Sequence, residues 1–375
     1  MFRRALVLFS SCAIGIGAAL AVMVGTALVV LAQAPAPTTV DGLVSAAKSA
    51  AGTDWPGTFL RLCIPPPATG RGAPAAPAGG RAGDAARGNT TTGNAARGAA
   101  TTPPAGRAGR GAAPGATATA GPPRASWYAE PAKVADNFYF LGTKAHNSWA
   151  LVGSDGIIIV DALFDYASPD EIVGGMTTLG LDKNKVKYIL ISHAHGDHDG
   201  GVPYLQDTMP SAHIVYGGPD WDAVDRRTGT KPKRDTVGAD GMKFTVGDAS
   251  VQVVTTPGHT AGTLSFLFEV KDNGKPLRVA YVGGTAIPFD GTAAYYDGYI
   301  ASVRKMAKAA ADFGATALMS NHTEFDNAYY KAHTAAGRKP GAANPFDVGQ
   351  AAVGRYFTVV ESCTTAAKLR AVSKP

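Results

Sequence analysis

The stretch VKYILISHAHGDHDGG, Val186–Gly201, decides the reading of this 375-residue chain. Its first half is a continuous apolar run, the pattern of a strand buried on both faces. Its second half places three histidines and two aspartates within seven positions, in a chain with only eight histidines. A strand therefore ends at Ser192, and its C-terminal edge presents His193, His195, Asp197 and His198 on a tight loop. Gly196, Gly200 and Gly201 let the backbone bend there. Imidazole and carboxylate suit a borderline cation such as Zn2+. Four donors within six residues exceed what one tetrahedral ion needs from one loop. Asp197 and His198 must also point differently from His193 and His195, so two metal centres explain the spacing better than one.

Two centres need donors from elsewhere. VQVVTTPGHTAG supplies His259 and TALMSNHTEFD supplies His322, each just beyond an apolar strand. All three groups can then share one sheet edge, where ligand sites gather in open sheets. His146, His213 and His333 read as ordinary histidines; His146, near Trp149, is the one placed to line a pocket.

Order begins near WYAEPAKVADNFYFLG. NFYFLGT, SWALVG, GIIIVDAL, VKYILIS and AHIVYG read as strands, with helices at PDEIVGGMTTLG, GGVPYLQDT and PDWDAVDRR. Four strands follow in a row, at MKFTVGD, VQVVTT, TLSFLFEV and RVAYVGG. An amphipathic helix covers YDGYIASVRKMAKAAADFG, TALMSNH is a strand, and the tail from Phe346 to Lys368 is mainly helical. Strand–helix alternation occurs twice around a meander. The expected class is α/β: an αββα sandwich, two mixed sheets flanked by helices.

The formal charge of +6 is unevenly placed. Segment 64–124 holds seven arginines against Asp84 alone, and Arg3 and Arg4 add two more. The remainder is near neutral, which speaks against a nucleic-acid groove. Residues 1–34, two arginines before a long uncharged apolar run, read as an export signal, with a retained membrane anchor over 5–32 as the alternative. Residues 35–63 read as a short helical segment and 64–125, almost all Ala, Gly, Pro, Thr and Arg, as a disordered insert. Residues 126–375 form the expected catalytic domain. Removal of the signal takes Cys12 with it and leaves Cys63 and Cys363, an even pair that suggests a disulfide in a periplasmic or secreted protein. Membrane association follows only if the N-terminal segment is retained. The sequence is silent on oligomeric state.

From about Phe138 onward the chain resembles the metallo-β-lactamase superfamily, through SHAHGDH, TPGHTAGT and the later NH in order. The resemblance implies two zinc ions, the first held by His193, His195 and His259, the second by Asp197, His198 and His322. It also implies that Asp161, in IIIVDAL, braces the metal loop. In YVGGTAIP, Gly284 stands where many relatives place a bridging aspartate and where the first two lactamase subclasses place a cysteine; the pattern is most similar to the third subclass. Gly284 and Thr285 are then expected beside the substrate. The implied activity is opening of a β-lactam amide by a zinc-bound hydroxide that Asp197 orients, on a small-molecule substrate. The alternative is a hydrolase of the same fold acting on a lactone, thioester or other ester. No serine lies in a G-x-S-x-G setting.

Overall fold

Gly156–Val160 is apolar at every position, so it needs cover on both faces. The computed structural model, which describes residues 37–65 and 121–373, provides that cover with two packed sheets and outer helices. The first sheet runs in chain order: β1 (Ala132–Ala135), β2 (Phe138–Phe140), β3 (Trp149–Gly153), β4 (Gly156–Val160), β5 (Val186–Leu190), β6 (His213–Gly217) and β7 (Thr236–Gly238). It is antiparallel from β1 to β4 and parallel from β4 to β7. The second contains β8 (Lys243–Val246), β9 (Ala249–Thr255), β10 (Leu264–Asp272), β11 (Lys275–Val282) and β12 (Ala317–Ser320). The meander strands β8 to β11 are antiparallel, and β12 joins β11 in parallel. The β10–β11 turn uses Asn273 and Gly274, both at positive φ (51° and 73°), as a tight two-residue hairpin requires.

Both sheets are mixed and flanked by helices, the expected αββα class. Ile158 and Val160 of β4 face the inter-sheet core with Phe138, Trp149, Phe266, Phe268 and Val279. Ile157 and Ile159 face the other way, onto Ile172, Met176, Leu205 and Trp221 of the outer helices. The second sheet's outer face carries Val254, Leu267, Ala280 and Leu318 against the helices Ala293–Phe313 and Gln350–Val372. Two short strands, β1 and β7, escaped the sequence reading; each has three or four residues and lies at a sheet edge, with little apolar patterning to reveal it.

The sequence reading set 35–63 apart from the catalytic domain. In the structure its helices, Val40–Ala51 and Pro56–Cys63, are part of one compact unit that begins at Pro37. Ala47, Ala51, Trp55 and Leu62 enter the same core cluster as the C-terminal helix. Trp55 Nε1 donates to Ala352 O at 2.8 Å, and Cys63 and Cys363 form a disulfide with Cα atoms 4.7 Å apart. Burial of that apolar face explains why the segment does not stand alone. The signal segment with Cys12 and nearly all of the Ala/Gly/Pro-rich insert lie outside the described residues. Among the described residues, no helix is long and apolar enough to cross a membrane.

Candidate metal centre

Five strand ends meet at one end of the sandwich, two from the first sheet and three from the second, so the donors share the end of both sheets rather than the edge of one. Asp161 follows β4, the 192–199 loop follows β5, and His259, Gly283 and His322 follow β9, β11 and β12. Asp161 takes the left-handed conformation (φ 63°), which aspartate tolerates better than most residues. Its buried carboxylate accepts from Ser192 N (2.7 Å), Ser192 Oγ (2.9 Å) and Tyr281 OH (2.8 Å), and lies 3.3 Å from His198 Nδ1. One carboxylate thus ties three strand ends and steadies the loop that carries four donors.

Two donor groups result. In the first, His193 Nδ1 donates to Gly283 O (2.8 Å) and His259 Nδ1 to Ala286 O (2.7 Å), which leaves both Nε2 lone pairs free. His259 Nε2 lies 3.1 Å from His195 Nδ1, and the three residues offer nitrogens within 4.8 Å of one another. In the second, Asp197 Oδ2 lies 3.2 Å from His198 Nε2 and 3.3 Å from His322 Nε2, which are themselves 2.9 Å apart. Asp197 also falls within the same distance of His193 and His198, so it sits where the groups adjoin. The structure thus brings all six predicted donors together. It also adds His146, whose Nε2 is 3.6 Å from Asp197 Oδ2.

The electrostatics suit a cation. Burial, with neighbouring imidazoles, lowers the pKa of His193 well below its ordinary range and that of His259 to about 3. Burial also lowers His195. These rings are neutral, the form that ligates metal. Burial would lower His198 too, but Asp197 and Asp161 outweigh it and raise it to about 10, so this ring gives up a proton when it ligates a cation. Burial opposes charge on Asp197, yet His198 and His322 hold its carboxyl far below the usual range. His193 Nε2 is buried without a hydrogen-bond partner in the protein. Converging lone pairs, one orphaned buried nitrogen and one anionic carboxylate fit a divalent metal ion.

Support comes from residues the sequence did not flag. Asp220 accepts from Ala194 N (2.8 Å), Thr260 Oγ1 (2.8 Å) and Gly262 N (2.9 Å), clasping the His193–His195 loop to the His259 loop. A Cβ on Gly262 would stand 2.5 Å from Asp220 N. Asn321 Nδ2 donates to Gly283 O at 2.8 Å, beside His193 Nδ1.

Two expectations change. Thr285 does not face a substrate: it is buried, and its hydroxyl meets Tyr356 OH (2.7 Å) and Ser320 Oγ (3.1 Å). Gly284 is also buried, with its carbonyl accepting from Tyr299 OH at 3.0 Å. A Cβ there would lie 2.6 Å from His259 Cβ, so the position is closed by the His259 side chain rather than open to a ligand. His213 pairs with exposed Asp235, and His333 Nδ1 donates to Tyr329 O one turn back in its own helix, both away from the cluster.

Residues 141–272 match the family model described as the metallo-beta-lactamase superfamily. A lactamase-like protein, vrtG, of Penicillium aethiopicum is 40% identical over 86 residues, 22% of this chain and 24% of that protein. A cytoplasmic hydroxyacylglutathione hydrolase of Arabidopsis thaliana is 28% identical over 137 residues, 35% of this chain and 48% of that protein. The chain therefore spans about a quarter to a half of the length of these curated relatives. Among solved structures, BJP-1, a subclass B3 metallo-beta-lactamase of Bradyrhizobium japonicum, aligns at 25% identity and TM-score 0.50, over 60% of this chain and 89% of that one. FEZ-1 metallo-beta-lactamase from Legionella gormanii aligns at 20% identity and TM-score 0.58, over 65% and 97%.

Proposed function

We propose that this chain, which carries a metallo-beta-lactamase superfamily domain, is a zinc-dependent hydrolase that opens the amide of β-lactams. The observation that carries the reading is the pair of adjoining donor groups, His193–His195–His259 and Asp197–His198–His322, at the shared end of the two sheets. Each group would hold one zinc ion. Bound there, the ions would act as Lewis acids on the carbonyl and lower the pKa of water towards about 7. The chain's own residues supply orientation and proton handling. Gly283 and Ala286 carbonyls set the His193 and His259 tautomers, and Asp161 fixes the loop. Asp197, anionic and at the seam, would align the attacking water and take its proton. It would return that proton to the amide nitrogen as the C–N bond breaks. His146, His195, His259 and His322 are partly exposed, so the cluster opens to solvent on their side.

A second reading rests on Thr285. Because it turns inward, it offers no hydroxyl to a substrate carboxylate. That favours a hydrolase of lactones, thioesters or other esters, in line with the hydroxyacylglutathione hydrolase likeness. A panel of a carbapenem, a cephalosporin, a lactone and a hydroxyacyl thioester, each assayed with and without a chelator, decides between them. Chelator-sensitive lactam turnover supports the first reading; turnover of esters alone overturns it in favour of the second.

Export is proposed as well. A disulfide between Cys63 and Cys363 persists in oxidising compartments, which supports residues 1–34 as an export signal.

A further inference from the structure

His146 has no part in the six-donor reading, yet its ring is held in the cluster. Its loop is zipped to the His322 loop by a bridge between the two histidines. On either side of that bridge, Asn147 N donates to Asn321 O and Thr323 N to Ala145 O, both at 2.9 Å. Asn147 Nδ2 donates to Ser320 O at 2.8 Å, and His146 N donates to Thr143 Oγ1 at 2.9 Å. Phe164 stands edge-on to the ring at 5.2 Å, and the side chain is only 15% exposed. A backbone fixed on both sides and a ring packed on an aromatic aim Nε2 at Asp197.

The spacing has a meaning. Zinc–ligand bonds of about 2.0–2.1 Å in a tetrahedron put neighbouring donors about 3.3–3.4 Å apart. The separations here are 2.9, 3.2, 3.3 and, from His146 to Asp197, 3.6 Å. His146, Asp197 and His322 also form a donor trio of their own.

We propose that His146 is a fourth protein ligand of the position built by Asp197, His198 and His322. That position is then closed, with four protein donors. The His193–His195–His259 position keeps three and remains the one with room for water and substrate. The proposal rests on the two-ion reading above and adds an asymmetry between the positions. The four-donor position, which includes the carboxylate, binds its ion more tightly.

The test is competition of zinc against a chromophoric chelator, with the d–d absorption of Co2+ as a second readout. It uses the whole chain and its variants His146→Ala, His146→Asn and His198→Ala, with near-ultraviolet circular dichroism as the check of folding. The proposal expects two zinc equivalents in the unaltered protein. It expects the tighter one to weaken at least about tenfold in His146→Ala. One Co2+ band shifts in intensity while the other stays. His146→Asn serves if the alanine variant does not fold. Affinities and spectra unchanged in both His146 variants, with one equivalent lost in His198→Ala, overturn the His146 assignment and leave the two-ion reading standing. A single equivalent in the unaltered protein overturns both.

Discussion

Gly284 shows how one missing side chain shapes the centre. The base of the His259 side chain occupies the space a Cβ would need, and His259 Nδ1 is held by Ala286 two residues further on. Gly284→Ala therefore displaces His259. The expected outcome is at least a tenfold loss of metal affinity at the three-histidine position, with little change in fold, read by chelator competition and circular dichroism. Asp197 carries a different load. Asp197→Asn keeps the shape but removes the negative charge and the proton acceptor. Turnover should fall by about 10²–10⁴-fold, the usual share of an acid–base group, and more if metal is also lost. A variant with unaltered kcat contradicts the role assigned to Asp197.

Single elements depend on groups far from the cluster. The helical turn opening at Pro169 carries Glu171, fully buried, with one oxygen accepting from Ala129 N at 2.8 Å and the other without a partner. Burial pushes its pKa to about 8, against the weaker opposing pull of the Ala129 amide. An unfolded glutamate titrates near 4.5. Between these values the folded state holds the extra proton, so stability falls as pH rises from about 5 to 8. Glu171→Gln should flatten this decline in a melting-temperature series. An equal slope in both proteins contradicts the assignment. The elements also separate what the sequence made legible from what it hid. The SHAHGDHDGG loop was legible because its donors are neighbours in the chain and follow an apolar run. His259 and His322 were legible because each follows a strand in the same way. His146 was legible only as a pocket-lining histidine, not as a donor, and Asp220 not at all: each acts through contacts made only on folding. Asn147, beside His146, reaches Thr323 across 176 positions, and Asp220 reaches Gly262 across 42. Thr285 was misplaced because strand position alone does not show which way a side chain turns beyond the strand's end.

Across the whole molecule, the two ends of the described chain are fastened together. The disulfide spans 300 positions and joins Pro56–Cys63 to the C-terminal helix, which packs on the second sheet. Its reduction should lower stability by about 2–4 kcal/mol, measured by denaturant unfolding with and without reductant. The metal cluster lies among the strand ends, and none of its donors is a cysteine. Reduction under native conditions should therefore spare metal content. Loss of metal on reduction alone would contradict the separation of the two features.

The central claim is that the clustered histidines and Asp197 hold metal on which hydrolysis depends. The most direct measurement is elemental analysis of the purified protein, paired with turnover before and after dialysis against a chelator and after zinc is restored. The account predicts bound zinc, loss of turnover with its removal and recovery on its return; His195→Ala should lose the zinc of the three-histidine position, and turnover with it, while the Asp197–His198–His322 position still binds its ion. Full turnover by protein shown to be metal-free would contradict it.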